Sequence, residues 1–251
     1  MHINHIYILQ KCKNMARAKT QRILDYGCGS AEIIEAARDL DMEMYGVDAF
    51  YEGGNVRDVI IRKGLLGTIV RELEGDRIPF PDGYFDAVIS NQVFEHVIDL
   101  KKVMKEIFRV TKRDGIVIAI FPSKEVWREG HCGIPFIHWF QENSKLRYWW
   151  IYILRTMGLG YNKEGKDKVQ WVKDFLEYLD RFTHYLGYRY IKGVLEDVFD
   201  SYSHIEEDYI SFRLAAINRN GLAKLVRTWY LKPIVRWLCR KLGGMVLSIR
   251  T

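Results

Sequence analysis

The run Ile23-Leu24-Asp25-Tyr26-Gly27-Cys28-Gly29-Ser30-Ala31 constrains this chain more than any other stretch. Apolar residues lead into an acid, two glycines bracket a small residue, and a helical pattern follows. That order suits a strand turning sharply beneath a bound ligand. Glycine accepts positive φ and, lacking Cβ, lets backbone N–H groups approach a polar ligand. The run is not the dinucleotide fingerprint, which needs Gly or Ala three residues beyond its second Gly; Glu32 stands there. That fingerprint also has no acid at the position of Asp25. Taken alone, the run equally describes a tight strand-to-helix turn with no ligand.

Two further features come at matching distances. Met42-Glu43-Met44-Tyr45-Gly46-Val47-Asp48 reads as a second strand ending in an acid, about 20 residues past the glycines, where a carboxylate suits a ribose diol. Then comes Ile78-Pro79-Phe80-Pro81-Asp82-Gly83-Tyr84-Phe85-Asp86-Ala87-Val88, continuing to Phe94-Glu95-His96-Val97, and later Phe108-Arg109-Val110-Thr111-Lys112-Arg113-Asp114-Gly115. With these motifs in this order, residues 22–123 resemble a class I S-adenosylmethionine-dependent methyltransferase, of the type 11-like kind. The rest of the chain lies outside the resemblance.

The resemblance implies an α/β fold: a Rossmann-like, doubly wound, mostly parallel seven-stranded sheet. It also implies the cofactor, S-adenosyl-L-methionine, with S-adenosyl-L-homocysteine as product. Asp25 would orient the turn and the cofactor's amino group. Gly27, Cys28 and Gly29 would pass under its methionyl and ribose portions, and Asp48 would take the ribose hydroxyls. Ala49 and Phe50 would lie beside the adenine, with 73–76 bordering it, and Asn91 and Gln92 near the methionine moiety. Many relatives carry a third glycine where this chain has Ala31; alanine is small and suits a first helical turn.

At 251 residues, 48% of them hydrophobic, the chain has enough material for one α/β domain with a substantial core, which excludes wholesale disorder. A single methyltransferase domain is expected over 1–251: a basic helical lead-in (1–21), a cofactor-binding core (22–123), an acceptor-site insertion or lid (124–168), and C-terminal helices with the last strands (169–251). The formal charge of +6 suits anionic partners and equally suits none. Cys12, Cys28, Cys132 and Cys239 are scattered without a C-x-x-C pair, so reduced thiols in a cytoplasmic protein are expected. The first residues lack a sustained apolar stretch, and the longest apolar run, 148–154, is too short for a membrane span.

Strands and helices alternate, as in a parallel sheet covered on both faces. Strands are expected at 23–26, 44–48, 67–72, 85–91 and 115–121, and helices at 31–40, 55–64 and 100–110. In the last, Leu100, Val103, Met104, Ile107 and Phe108 mark one apolar face. An aromatic helix is expected at 145–157, a Gly- and Lys-rich loop at 158–168, a sixth strand within 204–218 and a seventh at 244–250. Insertions therefore follow strand 5 and separate the last two strands.

His96, His131 and His138 are the candidates for a general base or for orienting the acceptor, because neutral imidazole takes protons near pH 7. For His96 the alternative is a structural role where the loop enters the next helix. His131, Cys132 and His138 lack zinc-site spacing, and no metal is assigned. Trp127, Trp139, Phe140, Tyr148, Trp149 and Trp150 suit an acceptor pocket or a satellite core.

In 220–242, Leu222, Leu225, Val226, Trp229 and Tyr230 share a helical face that Ile234, Trp237 and Leu238 continue past Pro233. Lys224, Arg227, Lys232, Arg236, Arg240 and Lys241 occupy much of the remainder. Two readings stay open: peripheral contact with an anionic inner-membrane surface, or an apolar face packed on the enzyme body with solvated cations.

The expected function is methyl transfer by in-line displacement, on oxygen, to a small-molecule or saccharide acceptor that is free or lipid-linked. The insertion and basic terminal helices resemble methyltransferases of bacterial surface-polysaccharide assembly. A nucleic-acid acceptor is disfavoured, since Asn91-Gln92-Val93-Phe94 stands where base-methylating relatives carry Asn-Pro-Pro-Tyr or Asp-Pro-Pro-Tyr. A catalytically silent binding protein is opposed by the intact Asp25, Gly27, Gly29 and Asp48. A nicotinamide-dependent oxidoreductase is opposed by Glu32 and by the 81–97 run.

Overall fold

A computed structural model describes residues 1–15, 21–51 and 56–251. Arg17 and Lys19 of the basic lead-in, and Asn55 of the expected third helix, lie outside the described residues. The strands are β1 (Arg22–Tyr26), β2 (Glu43–Asp48), β3 (Val70–Glu72), β4 (Phe85–Asn91), β5 (Thr111–Phe121), β6 (Ser201–His204) and β7 (Met245–Arg250). They form one sheet in the order β3-β2-β1-β4-β5-β7-β6. Neighbours from β3 to β5 are parallel, while β7 runs antiparallel to both β5 and β6. Strand order reverses between β1 and β4, and the crevice beyond the carboxyl ends there is where ligands lodge in such sheets.

The helices are α1 (Ile3–Met15), α2 (Glu32–Arg38), α3 (Val56–Arg62), α4 (Leu100–Val110), α5 (Lys145–Thr156), α6 (Lys168–Phe182), α7 (Tyr188–Val198), α8 (Glu206–Ala216), α9 (Asn220–Leu225) and α10 (Lys232–Leu242). Two cores result. Val103, Met104 and Ile107 of α4 join Ile191 and Leu195 of α7 on one face of the sheet. Tyr7 and Ile8 of α1, Ile34 of α2, Ile60 of α3 and Tyr209 of α8 cover the other. Asp99 caps α4, its carboxylate accepting from Lys102 N–H at 3.0 Å. Burial of five α4 side chains, each about 1.5–3 kcal/mol when complete, outweighs its mixed propensity.

Three expectations need correction. The stretch 204–218 is helix α8, and the sixth strand precedes it at Ser201–His204. Three acids at positions 206–208 complement a helix N-terminus, and Ile205, Tyr209 and Phe212 recur at helical spacing against the core. The third strand is confined to Val70–Glu72 because Gly67 (φ 79°) holds the chain in a turn before it. Ala31 precedes α2 in the left-handed region (φ 62°) and not in a helical turn, a conformation that glycine adopts without the cost a Cβ brings.

After β5, the insertion closes on itself. Cys132, Ile134, Ile137, Ile151, Trp171 and Leu179 form a third core, with Trp171 Nε1 donating to Tyr161 O at 2.9 Å. The segment 220–242 does not bury its apolar face. Trp229 is 83% exposed, Leu242 64%, and Tyr230, Ile234 and Trp237 are exposed as well. Three of its six cations turn inward instead: Arg236 makes a bidentate pair with Glu207 (2.7 and 2.9 Å), Lys232 reaches the same carboxylate, and Arg227 pairs with Asp208. Glu207 is itself buried, so this pairing fixes which side of α10 meets the body.

Candidate active site at the glycine turn

The first turn is built by hydrogen bonds from strand to strand. Gly27 and Cys28 N–H both donate to Val47 O, at 2.8 and 3.1 Å. Gly29 N–H donates to Asp48 Oδ2 at 2.8 Å, and Phe50 N–H to Asp48 Oδ1 at 2.9 Å. The carboxylate closing β2 is thus held against the glycine turn closing β1. Gly27 (φ 77°) has no room for a side chain, since a Cβ there would sit 2.3 Å from Val93 Cγ2. Buried Cys28 packs where a Cβ on Gly46 would fall, so one small residue in β2 makes space for the turn.

A cavity of about 510 Å³ opens beyond these ends. Gly27, Gly29 and Asp48 line one side, Ala49, Phe50 and Leu73 give it an apolar slot, and Gln92 and His96 close it from β4. A smaller cavity of about 200 Å³ shares Gly27 and Gly29 and adds Asp25, Cys28, Asn91 and His5. Asp25 is buried, and among the described residues nothing donates a hydrogen bond to it; burial, with Asp48 nearby, pushes its pKa up to about 8. A buried carboxylate without a partner, beside a turn that excludes side chains, fits the ammonium end of an amino-acid nucleoside. The apolar slot next to Asp48 fits its base and sugar.

The structure brings together Asp25, Gly27, Cys28, Gly29, Asp48, Ala49, Phe50, Asn91, Gln92 and His96. Asn91 faces the smaller cavity, its Oδ1 accepting from Asn4 Nδ2 at 3.0 Å, so α1 helps to build the site. His131 and His138 lie apart from both cavities. His138 borders a third, polar cavity of about 590 Å³ with Lys124, Arg147, Asp180 and Thr183, which meets the main one at Ile98 and His184. The His138 ring lies 4.6 Å from Tyr185, and burial lowers its pKa. The carbonyls of Lys124 and Val126 oppose that shift, yet neither ring nitrogen reaches full hydrogen-bond geometry.

His96 Nδ1 lies 2.6 Å from Phe182 O, and a carbonyl only accepts, so Nδ1 carries the proton. Burial lowers the pKa of His96. Its neighbour Glu95 is buried, with Oε2 unpaired among the described residues, and burial pushes its pKa up to about 7. Phe182 and His184 at the end of α6, and His5 of α1, also border the cavities; no motif in the sequence marks them. Glu129 was equally unmarked. Fully buried, it accepts from His131 Nδ1 (2.6 Å), from the backbone N–H of His131 and Cys132, and from Tyr185 OH (2.7 Å).

Comparison with known proteins bears on this geometry. Residues 24–119 match the family described as a methyltransferase domain. The uncharacterized methyltransferase YcgJ of Bacillus subtilis is 32% identical over 95 residues, covering 38% of each chain. The ubiquinone/menaquinone biosynthesis C-methyltransferase UbiE of Vibrio parahaemolyticus is 31% identical over 111 residues, 42% of this chain and 43% of that one. This chain therefore spans about two fifths of the length of these curated relatives. Among solved structures, an S-adenosylmethionine-dependent methyltransferase of Mesorhizobium loti shares the fold over the whole of both chains, with a TM-score of 0.55 at 12% identity. Residues 24–119 are thus similar to methyltransferase domains, and the fold around them is shared with a solved S-adenosylmethionine-dependent methyltransferase.

Proposed function

We propose that the chain binds S-adenosyl-L-methionine at the two cavities that share Gly27 and Gly29 and transfers its methyl group to a hydroxyl of a small-molecule or saccharide acceptor. The carrying observation is that Asp25 and Asp48 line two cavities that share the Gly27–Gly29 turn as a wall. The bound sulfonium supplies an activated methyl electrophile. Asp25 holds the ammonium end, Asp48 the ribose hydroxyls, and Ala49 and Phe50 the base. Gln92 and Val93 border the methionine end. Aligning the acceptor behind the methyl carbon then supplies much of the rate. The third cavity, with Lys124, Arg147 and Asp180, offers hydrogen-bonding groups for such an acceptor. Incubation with tritiated cofactor and the glycan, lipid-linked glycan and nucleic-acid fractions of a cell lysate tests the assignment. Label in either glycan fraction is expected; label confined to nucleic acid overturns it.

The outward aromatic face of 220–242 supports peripheral contact with an anionic membrane, and with it a lipid-linked acceptor. Trp229, Tyr230, Ile234 and Trp237 present apolar surface. Of the six Lys or Arg residues in the same segment, which holds no acid, Lys224, Arg240 and Lys241 take no part in the pairs with Glu207 and Asp208. Among the described residues no helix is long and apolar enough to cross a bilayer.

A further inference from the structure

We infer that α1 completes the cofactor site: the Asn91 amide, oriented through Asn4, and His5 together hold the carboxylate at the amino-acid end of S-adenosyl-L-methionine. This inference rests on the methyltransferase reading above, within which that carboxylate has no assigned partner. The cavity of about 200 Å³ beside Asp25 is lined by His5 and Asn91 as well as by the glycine turn. The ammonium and the carboxylate of an amino acid sit on one carbon. With the ammonium on Asp25, the carboxylate needs donors within the same small space.

The turn's own amides are committed. The N–H groups of Gly27 and Cys28 donate to Val47 O, and that of Gly29 to Asp48 Oδ2. Of the oxygen- and nitrogen-bearing side chains lining the cavity, Asp25 and Glu32 are acids, and Ser30 Oγ donates to Glu32 Oε1 at 3.4 Å. His5 and Asn91 remain as donors.

The free end of the Asn91 amide follows from a chain of hydrogen bonds that has one possible polarity. A guanidinium only donates, so Tyr209 OH accepts from Arg213 Nη1 at 3.0 Å and has its single proton left to give. It gives that proton to Asn4 Oδ1 at 2.6 Å. Asn4 is left with Nδ2, which donates to Asn91 Oδ1 at 3.0 Å. The spare end of Asn91 is therefore Nδ2, a donor that is neither hydrogen-bonded nor sealed in the interior among the described residues. Asn4 and Tyr209 are buried, so water does not compete for these links. Both are positioning residues: alone, Asn91 could present either end of its amide.

His5, the next residue of α1, supplies the second donor. Neither of its ring nitrogens makes a hydrogen bond among the described residues, although Nδ1 lies 3.5 Å from Glu32 Oε2. The Glu32 side chain is mostly exposed and loses little by turning to water. Burial lowers the pKa of His5, which leaves a neutral imidazole with one N–H to donate.

Calorimetry on the full chain with two ligands tests this: S-adenosyl-L-homocysteine, and its decarboxylated analogue, which keeps the ammonium and lacks only the carboxylate. The parent is expected to prefer the former by about 30-fold or more, as for two charge-assisted contacts. Asn91→Ala and His5→Ala should each cut that preference by about fivefold or more. Tyr209 lines none of the three cavities above, yet Tyr209→Phe should cut it by about threefold or more, because Asn4 and Asn91 become free to turn. In all three variants the decarboxylated analogue should bind within about twofold of the parent, which a damaged fold would not allow. A parent chain without the preference, variants that keep it in full, or variants that lose both ligands alike overturn the inference. A parent chain that binds neither ligand overturns the cofactor reading, and this inference with it.

Discussion

Gly29 N–H lies 2.8 Å from Asp48 Oδ2, joining the turn after the first strand to the carboxylate closing the second. Asp48 also accepts from Phe50 N–H through its other oxygen, so one side chain fixes the turn and the start of the loop after β2. Both oxygens keep lone pairs for a ribose diol. Replacing Asp48 by Ala removes these charge-assisted bonds, each about 1.5–3 kcal/mol. Affinity for S-adenosyl-L-homocysteine is expected to fall about tenfold or more by calorimetry. Unchanged affinity would remove the ribose assignment.

Asp25 predicts a pH dependence of binding. Its pKa, raised to about 8 chiefly by burial and then by Asp48, leaves it mostly protonated at pH 7 in the free protein. Pairing with an ammonium requires the carboxylate, so binding releases a proton. Affinity should fall by up to about tenfold per unit as pH drops below 8. Titrations from pH 6 to 9, in buffers of differing ionisation enthalpy, read both the slope and the proton; Asp25→Asn should flatten the slope. A flat profile in the parent chain would contradict the pairing.

The same shift has a consequence for stability. A carboxyl with a raised native pKa binds more protons folded than unfolded, so its contribution is greatest below about pH 4 and declines until pH 8. Glu95, raised to about 7, declines in the same direction over a narrower window. Asp25→Asn should therefore gain stability relative to the parent as pH rises from 5 to 8, measured by urea denaturation. An advantage that shrinks with rising pH would contradict this account of its burial.

Gly27→Ala tests the closeness of the turn. The added methyl meets Val93 at 2.3 Å, and φ of 77° is unfavourable for any Cβ. Overpacking and strain together should cost about 1–3 kcal/mol and lower the melting temperature by several degrees. Gly29→Ala, with φ of 49° and open space around the new methyl, should cost less. The reverse order would contradict the packing described.

Membrane contact makes a separate prediction. The chain should float with phosphatidylglycerol vesicles at low salt, and less at high salt as charge is screened. Replacing Trp229 and Trp237 by Ser should weaken recovery about tenfold or more, since each loses apolar area otherwise buried in lipid. Full recovery of the parent chain in the unbound fraction would contradict the membrane reading.

The parts of this molecule legible in the sequence are those fixed locally. The 23–31 turn, the acid ending the second strand and the α4 stripe follow from turn chemistry and periodicity over a few residues. What escaped depends on distant partners. Near 204–218 the acids at 206–208 and the spacing of Ile205, Tyr209 and Phe212 mark a helix only once that face is set against the core that Tyr209 enters. The outward face of 220–242 follows from Glu207 and Asp208 claiming three of its cations, a pairing invisible until α8 and α10 are adjacent. Glu129 gains meaning only when Tyr185, 56 positions on, closes over it. The positive φ of Ala31 is not written in its methyl side chain.

The most direct measurement is a crystal structure of the chain grown with S-adenosyl-L-homocysteine. The account predicts ribose hydroxyls at about 3 Å from Asp48, the ammonium beside Asp25, and the base against Ala49 and Phe50. A nucleoside bound elsewhere, or with its sugar away from Asp48, would contradict it.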